Sequence, residues 1–409
     1  MDLVESCTMT RLCSTLDDLD FLTLNVLRCL QSCKTGRDFI QSYGIHSVPD
    51  LSRGNYFANL SSTRRRDFTR QIADQMRIAH LPGLRAFDDP LGIFPELAKW
   101  EVCAADGHKM AHATHDPRND KNEYSPVNGI YMMDLRTGFA DFLCLCKPTD
   151  RGIEHELTAL KRVVGDRLRC GAGKGKSTLL VYDRAIIDFE YAYNLKQCKS
   201  IYILTGWKEN LSPQTSIARE VDRSNHANVL ILSDETITFK DARGTWRRIT
   251  ARCPDSKDVF ITLTNQMTLP PGVLNECFRL RWGIEKLFDQ QEQKLDERKA
   301  WATSENAKTT QALSICITHN LLLLFKASLK RDEDIEDTKV SSDYLKKLDV
   351  RENEAKKAGR IFPKVLYIAL YRPTEMSLQF IRWLRGGLVR STLYNQAITL
   401  LRPLMAAYL

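Results

Sequence analysis

The run Thr178-Leu179-Leu180-Val181-Tyr182 is apolar at every other position and at the positions between, and it ends on Asp183. A strand without alternation needs apolar cover on both faces, which places it in the middle of a sheet with helices on either side. Its surroundings agree with this. Glu101 to Ala105 leads as a strand into Asp106. Val127–Met133 and Phe139–Cys146 flank the turn-forming Asp134-Leu135-Arg136-Thr137-Gly138, and Ile153, Leu157, Leu160, Val164 and Leu168 mark a helix. Ile201–Leu204 is a further strand, and short β-like runs follow at 229–232, 236–239, 246–250 and 259–263. Strand, hairpin, helix, strand, a β-rich insertion and a closing helix predict an α/β chain with a mixed sheet.

The flanking regions read as helical. Leu19, Leu22, Val26 and Leu30 recur at helical spacing, with Gly36 placed where a helix stops. A second helix begins near Ser62, with Phe68, Ile72, Met76 and Ala79 as its apolar stripe and Arg64, Arg65, Arg66, Arg70 and Arg77 as a basic face, solvated or laid on DNA phosphates. Residues 81–95, rich in Pro, Gly and Asp, read as a linker. Long helices resume at Pro271, a charged connection spans 331–360, and the last fifty residues are helical around Trp383, Leu384, Leu388 and Leu400. The division that follows is a helical region at 1–98, an α/β domain at 99–330 with its insertion at about 205–262, and a helical region at 331–409.

The surplus of 59 Lys+Arg over 51 Asp+Glu is compatible with a polyanionic partner and does not require one. Asp2 and Glu5 occupy a start that lacks a secretory pattern, and the apolar stretch Ala312–Phe325 is interrupted by Thr318-His319-Asn320. A buried helix, no membrane and a cytoplasmic location are expected. The twelve cysteines lack zinc-site spacing and read as thiols. Cys170–Thr178 resembles a phosphate-binding glycine loop, but a helix precedes it and a strand follows, the reverse of what that loop needs. His108, His112 and His115 read as an exposed loop beyond Gly107 rather than a metal set.

Two aspartates at strand ends and one glutamate on a helix form a pattern suited to hard divalent cations. In Phe278-Arg279-Leu280-Arg281-Trp282-Gly283-Ile284-Glu285, Leu280, Ile284, Leu287 and Gln291 form one stripe. Phe278, Arg281 and Glu285 form the next, so a guanidinium lies one turn from a carboxylate.

These segments resemble the DDE transposases of insertion sequences, in particular the insertion-sequence-four group with a Tyr-x2-Arg-x3-Glu-x6-Lys signature. The likeness is carried by Ala105-Asp106-Gly107, Tyr182-Asp183-Arg184, Leu263-Thr264-Asn265, Phe278-x2-Arg281-Trp282-x2-Glu285, Phe288 and Lys294, and it runs from about Trp100 to Leu324. Phe278 stands at the signature tyrosine and Glu292 at the signature lysine, for which Lys294 or Lys286 are candidate substitutes. The resemblance implies a ribonuclease-H-like core with an inserted β subdomain, and Asp106, Asp183 and Glu285 as catalytic ligands of two Mg²⁺ ions, with Mn²⁺ as a substitute. It also implies DNA contacts from Arg281, Arg184, Phe278 and Lys294, with Trp246 as a candidate base-stacking ring. The partners implied are terminal inverted repeats and target DNA, bound by a synaptic homodimer. A non-catalytic DNA-binding descendant and a metal-dependent nuclease on the same fold remain the alternatives; closely flanking inverted repeats would favour the transposase.

Overall fold

The computed structural model describes residues 7, 16–31, 35–41, 51–118, 122, 124, 127–149, 152–168, 175–183, 187–240, 242–295, 299–336, 338–371, 378–390 and 393–406. Three helices come first: α1 (Asp18–Leu30), α2 (Arg53–Leu60) and α3 (Thr63–Phe87). Each starts at a side chain that satisfies an orphan N–H of its first turn. Asp17 accepts from the N–H of Asp20 at 2.7 Å, Ser52 from Asn55 at 3.1 Å, and Ser62 from Arg65 at 3.4 Å.

Strands β1 (Trp100–Met110), β2 (Val127–Asp134) and β3 (Ala140–Leu145) form an antiparallel meander. The β2–β3 turn closes as its sequence predicts. Gly138 takes a left-handed φ of 73°, and the Asp134 carboxylate accepts from the N–H and hydroxyl of Thr137, both at 2.8 Å. Helix α4 (Glu156–Arg167) then crosses to β4 (Ser177–Tyr182), and α5 (Phe189–Lys199) to β5 (Ile201–Gly206). Strands β1, β4 and β5 are parallel neighbours at the centre of the sheet.

The stretch read as a β-rich insertion extends the sheet, through strands β6 (Thr215–Ala218), β7 (Ile231–Thr238), β8 (Trp246–Arg252) and β9 (Val259–Thr264). β9 pairs antiparallel with β5, and the nine strands make one sheet in the order β3-β2-β1-β4-β5-β9-β8-β7-β6. The exposed ladder of β5 would otherwise leave its backbone groups unpaired.

Helices α6 (Pro271–Leu280) and α7 (Trp282–Lys294) cover one face of the sheet centre, and α4 and α5 cover the other. Helix α8 (Glu305–Glu333) is long and apolar enough to cross a membrane, but 67% of its apolar window is buried within the protein, and it serves as a core helix. Its polar break is what docks it. Asn320 donates to and accepts from the backbone of Ala140 at 2.8 Å each, taking the place of a neighbouring strand at the edge residue of β3. Helices α9 (Thr338–Lys357), α10 (Lys364–Ala369), α11 (Leu378–Arg390) and α12 (Tyr394–Ala406) complete the chain.

Three further expectations differ from the structure. The predicted linker is helical to Phe87, because Leu81 and Leu84 pack into the core and hold α3 together through Pro82. The basic face of α3 is largely engaged within the protein. Arg64 and Arg65 pair with Asp18, Arg70 with Asp141, and Arg77 is buried, so these guanidiniums bolt the helix to its own protein. Gly36 opens a short helical turn, Gly36–Phe39, rather than closing α1, which stops at Leu30. The described cysteines are all free thiols. The glycine-rich stretch at 169–174 lies outside the described residues, and the order of helix α4 before it and strand β4 after it is as expected.

Candidate active site

The period-two alternation of the central strands decides which side chains meet. Val102 and Ala104 of β1 and Leu179 and Val181 of β4 pack in one cluster with Leu274, Cys277, Ile284, Leu287 and Phe288 of α6 and α7. Cys103, Ala105, Leu180 and Tyr182 face the opposite way, toward α4 and α5. Ala104 and Val181 are the last partners in the parallel ladder of β1 and β4. Asp106 and Asp183 lie two residues beyond them, so the same alternation puts both on the α7 side, level with one another. The hydroxyl of Thr205 donates to the Asp183 carbonyl at 2.9 Å and fixes the chain just past β4.

Helix α7 brings the third acid. The helical path kinks between α6 and α7 at Arg281, and Glu285 sits in the first turn of α7, where the helix dipole favours a carboxylate. Nη1 of Arg281 lies 3.1 Å from Oε1 of Glu285 and 3.5 Å from Oδ2 of Asp106. One guanidinium therefore spans an acid of the sheet and an acid of the helix. Its Nε is buried with no hydrogen-bond partner.

Asp106 does not behave as an ordinary surface acid. Burial pushes its carboxyl up to about 6, the neighbouring charges of Glu156 and Glu285 add to the rise, and the Gly107 N–H and Arg281 only partly oppose it. Among the described residues, the guanidinium set against Asp106 is that of Arg281, and its charge does not offset the burial. Asp106 is also not at a strand end, as its sequence context suggests; β1 runs on to Met110. Gly107 is present for space rather than for a turn. A Cβ there would fall 2.1 Å from the carboxylate oxygen of Glu156, which packs against the far side of the strand.

The extension of β1 changes the reading of His108. It is a buried strand residue two positions after Asp106 and on the same face, stacked on Phe288 with ring centroids 4.5 Å apart. Its Nε2 lies 3.7 Å from the carboxylate of Glu292 on α7. Alternation carried through Gly107 would have found it; the habit of reading glycine as a breaker hid it. His112 stacks on Tyr124, and His115 is exposed.

The remaining candidates separate. Phe278 is half-buried against the core beside Arg281, whose guanidinium lies 5.8 Å from its ring centroid. Lys294 is half-buried in the last turn of α7, and Lys286 is exposed. Arg184 lies outside the described residues. Trp246 is corrected: only 2% exposed, it packs edge-on to Phe189 in the core between β8 and α5 and offers no face to a base. Among the described residues no group of three or more His, Cys, Asp or Glu side chains is drawn together closely enough to hold a metal ion. Asp106 and Glu285 are joined through Arg281 instead.

A comparison with curated proteins gave no match. Residues 99–321, from the start of β1 into α8, match the family model described as a transposase DDE domain. That stretch holds the whole sheet and all three acids and is more than half of the chain, and the protein belongs to the transposase DDE domain family.

Proposed function

We propose that the chain is a DNA transposase that cleaves the ends of an insertion sequence and joins the freed 3′-hydroxyl to target DNA. On this reading the mixed sheet is a ribonuclease-H-like core of the insertion-sequence-four type, and Asp106, Asp183 and Glu285 are the catalytic acids. The observation that carries it is the single guanidinium of Arg281 spanning Asp106 and Glu285 on the face that Asp183 shares.

Divalent magnesium fits the chemistry of the donors. All three are hard carboxylate oxygens, and burial, with lesser help from Glu156 and Glu285, disfavours the charged form of Asp106, which a bound cation would stabilise. Asp106, Asp183 and Glu285 would hold Mg²⁺, or Mn²⁺, which would supply activation of the attacking oxygen and charge stabilisation at the leaving oxygen. Arg281 keeps the two acids facing one another, and its partnerless buried Nε is a donor in want of an acceptor. A phosphodiester oxygen meets that need, because leaving such a donor unpaired costs about 1–3 kcal/mol. Phe278 steadies the guanidinium by its ring but has no hydroxyl to offer a phosphate. Glu292 faces His108, so the helix presents an acid–imidazole pair where the resemblance expects a lysine. The lysines of α7 that would face the DNA backbone on this reading are the exposed Lys286 and the half-buried Lys294. The partners on this reading are terminal inverted repeats and target DNA, with two protein copies in the synaptic complex.

The test is cleavage of supercoiled plasmid carrying the gene's own flanking ends, with Mg²⁺, by wild type and by Glu285→Ala. End-specific cuts lost in the variant while end binding persists support the assignment. Binding of the ends with no cleavage by either protein would make the chain a DNA-binding descendant, and cutting without end specificity would make it a nuclease.

A further inference from the structure

A cavity of about 610 Å³ lies away from the carboxylates, between the end of α1, the Gly36–Phe39 turn, α2, the loop after β1 and the segment that follows α7. Its volume is that of a small-molecule site. Arg28, Arg37, Arg53 and Lys299 line it, together with His115, and no Asp or Glu is among the lining residues described. Of the described acids that adjoin lining residues in sequence, Asp116 is engaged by Lys308 at 2.9 Å and by the Ala113 N–H at 2.7 Å, and Asp38 lies exposed beside Arg37.

Arg28 is the unusual member. It is only 7% exposed, yet among the described ion pairs it has no carboxylate. Its guanidinium carbon sits 4.2 Å from the ring centroid of Trp301 and 5.7–5.9 Å from those of Phe39, Tyr56 and Phe57, and its hydrogen bond to the Tyr56 hydroxyl is long, at 3.4 Å. Arg65, Arg136 and Arg247 are buried to a similar degree, and each meets an aspartate: Asp18, Asp89 and Asp234. Rings ease the burial of a cation but do not replace a counter-charge. Arg28 is thus a buried charge aimed into a cavity whose wall adds further cations and two half-buried rings, Phe57 and Trp301.

A ligand that answers all of this carries an anionic oxygen group and a flat ring. We infer that the cavity binds one nucleotide unit, its phosphate held by Arg28, Arg53 and Lys299 and its base against Phe57 and Trp301. The unit has two possible sources, a free nucleotide or one nucleotide of a DNA strand. The architecture suits a strand. The loop that forms one wall continues β1 beyond Asp106, the opposite wall continues α7 beyond Glu285, and the Ala300 N–H donates to the Ala111 carbonyl at 2.8 Å to tie the two together. From Asp106 to the end of β1, and from Glu285 to the end of α7, is on the order of 15 Å, a few nucleotides of a strand.

The site needs no cleavage, so its test is separate from that of the transposase reading. Full-length protein in EDTA is titrated with thymidine monophosphate, with a short single-stranded oligothymidylate and with inorganic phosphate, by calorimetry. Binding of the monophosphate, the oligonucleotide or both, at least about tenfold tighter than inorganic phosphate, is the expected result. If the monophosphate matches the oligonucleotide, the source is a free nucleotide; binding of the oligonucleotide alone assigns the site to a strand. Arg53→Glu and Lys299→Glu alter exposed side chains and leave the fold intact. Each lowers nucleotide affinity about tenfold, and Trp301→Ala removes the preference over inorganic phosphate. No binding of either nucleotide, equal binding of inorganic phosphate, or affinities untouched by all three substitutions overturns the proposal.

Discussion

Two acid–arginine–acid clusters lie along the same strand, one at its start and one past its middle. In one, Arg85 of α3 pairs with both Glu101 of β1 and Asp134 of β2, with Lys176 3.2 Å from Glu101. Burial alone would raise both carboxyls, but the charge and hydrogen bonds of Arg85 reverse it, and Glu101 and Asp134 end below the ordinary carboxylate range. In the other, Arg281 spans Asp106 and Glu285 at longer range, and Asp106 stays raised, at about 6. The residue types are the same and the charge balance is not. In the Arg85 cluster the charges and hydrogen bonds outweigh burial and hold the fold; in the Arg281 cluster burial prevails at Asp106, as is common where a carboxylate has a functional task.

The contrast breaks most sharply in paired substitutions. Asp106→Asn is expected to lower end cleavage at least about 10³-fold while leaving the denaturation midpoint unchanged or higher, because a raised carboxyl is charged at the expense of stability. A variant that cuts normally, or that unfolds, would put Asp106 in the wrong cluster. Asp134→Ala is expected to cost about 3 kcal/mol in urea unfolding, since it removes one of the two carboxylates that neutralise the buried Arg85 and opens the Thr137 turn. A loss under 1 kcal/mol would make that cluster dispensable.

A third buried group sharpens the comparison by staying neutral. Burial pushes the His319 imidazole down to about 4. Its Nε2–H donates to the Gly138 carbonyl at 3.0 Å, and its Nδ1 accepts from Gln290 at 2.9 Å, so no place is left for a second proton. The folded value lies below the unfolded 6.5, so the unfolded chain binds more protons between the two. Stability is therefore full above 6.5 and falls as the pH drops toward 4, by about 2 kcal/mol between pH 7 and pH 5. The difference in unfolding free energy between wild type and His319→Gln should carry that slope; parallel curves would remove His319 as its source. The smallest effect is expected at Gly107→Ala, about 1 kcal/mol, because the obstructing group is the end of a side chain in the first turn of α4. Adding Glu156→Ala should restore the loss, and failure to do so would place the conflict in the strand itself.

What the sequence made readable was local and periodic. The unalternating run at 178–182, the Asp134–Gly138 turn and the polar break in α8 each carry their own signal, and Glu285 on one helix stripe with Arg281 was visible for the same reason. Hidden from it was whatever depended on a distant partner. The arginines of α3 look like a surface stripe until Asp18 and Asp141 are folded against them, and Gly107 looks like a break until Glu156 fills its missing side chain. Trp246 in a short strand reads equally as core or as platform, and only Phe189, 57 positions earlier, decides it. That the insertion joins the sheet through β9 and β5 was not legible, because this pairing is a long-range choice that no window contains.

The imidazole of His319 touches two parts of the molecule at once: Gln290 on the helix that carries Glu285, and the turn of the hairpin that pairs with the strand of Asp106. It works as a registration pin. Held through both nitrogens, one ring of α8 thus ties the helix that bears Glu285 to the hairpin that pairs with the strand of Asp106.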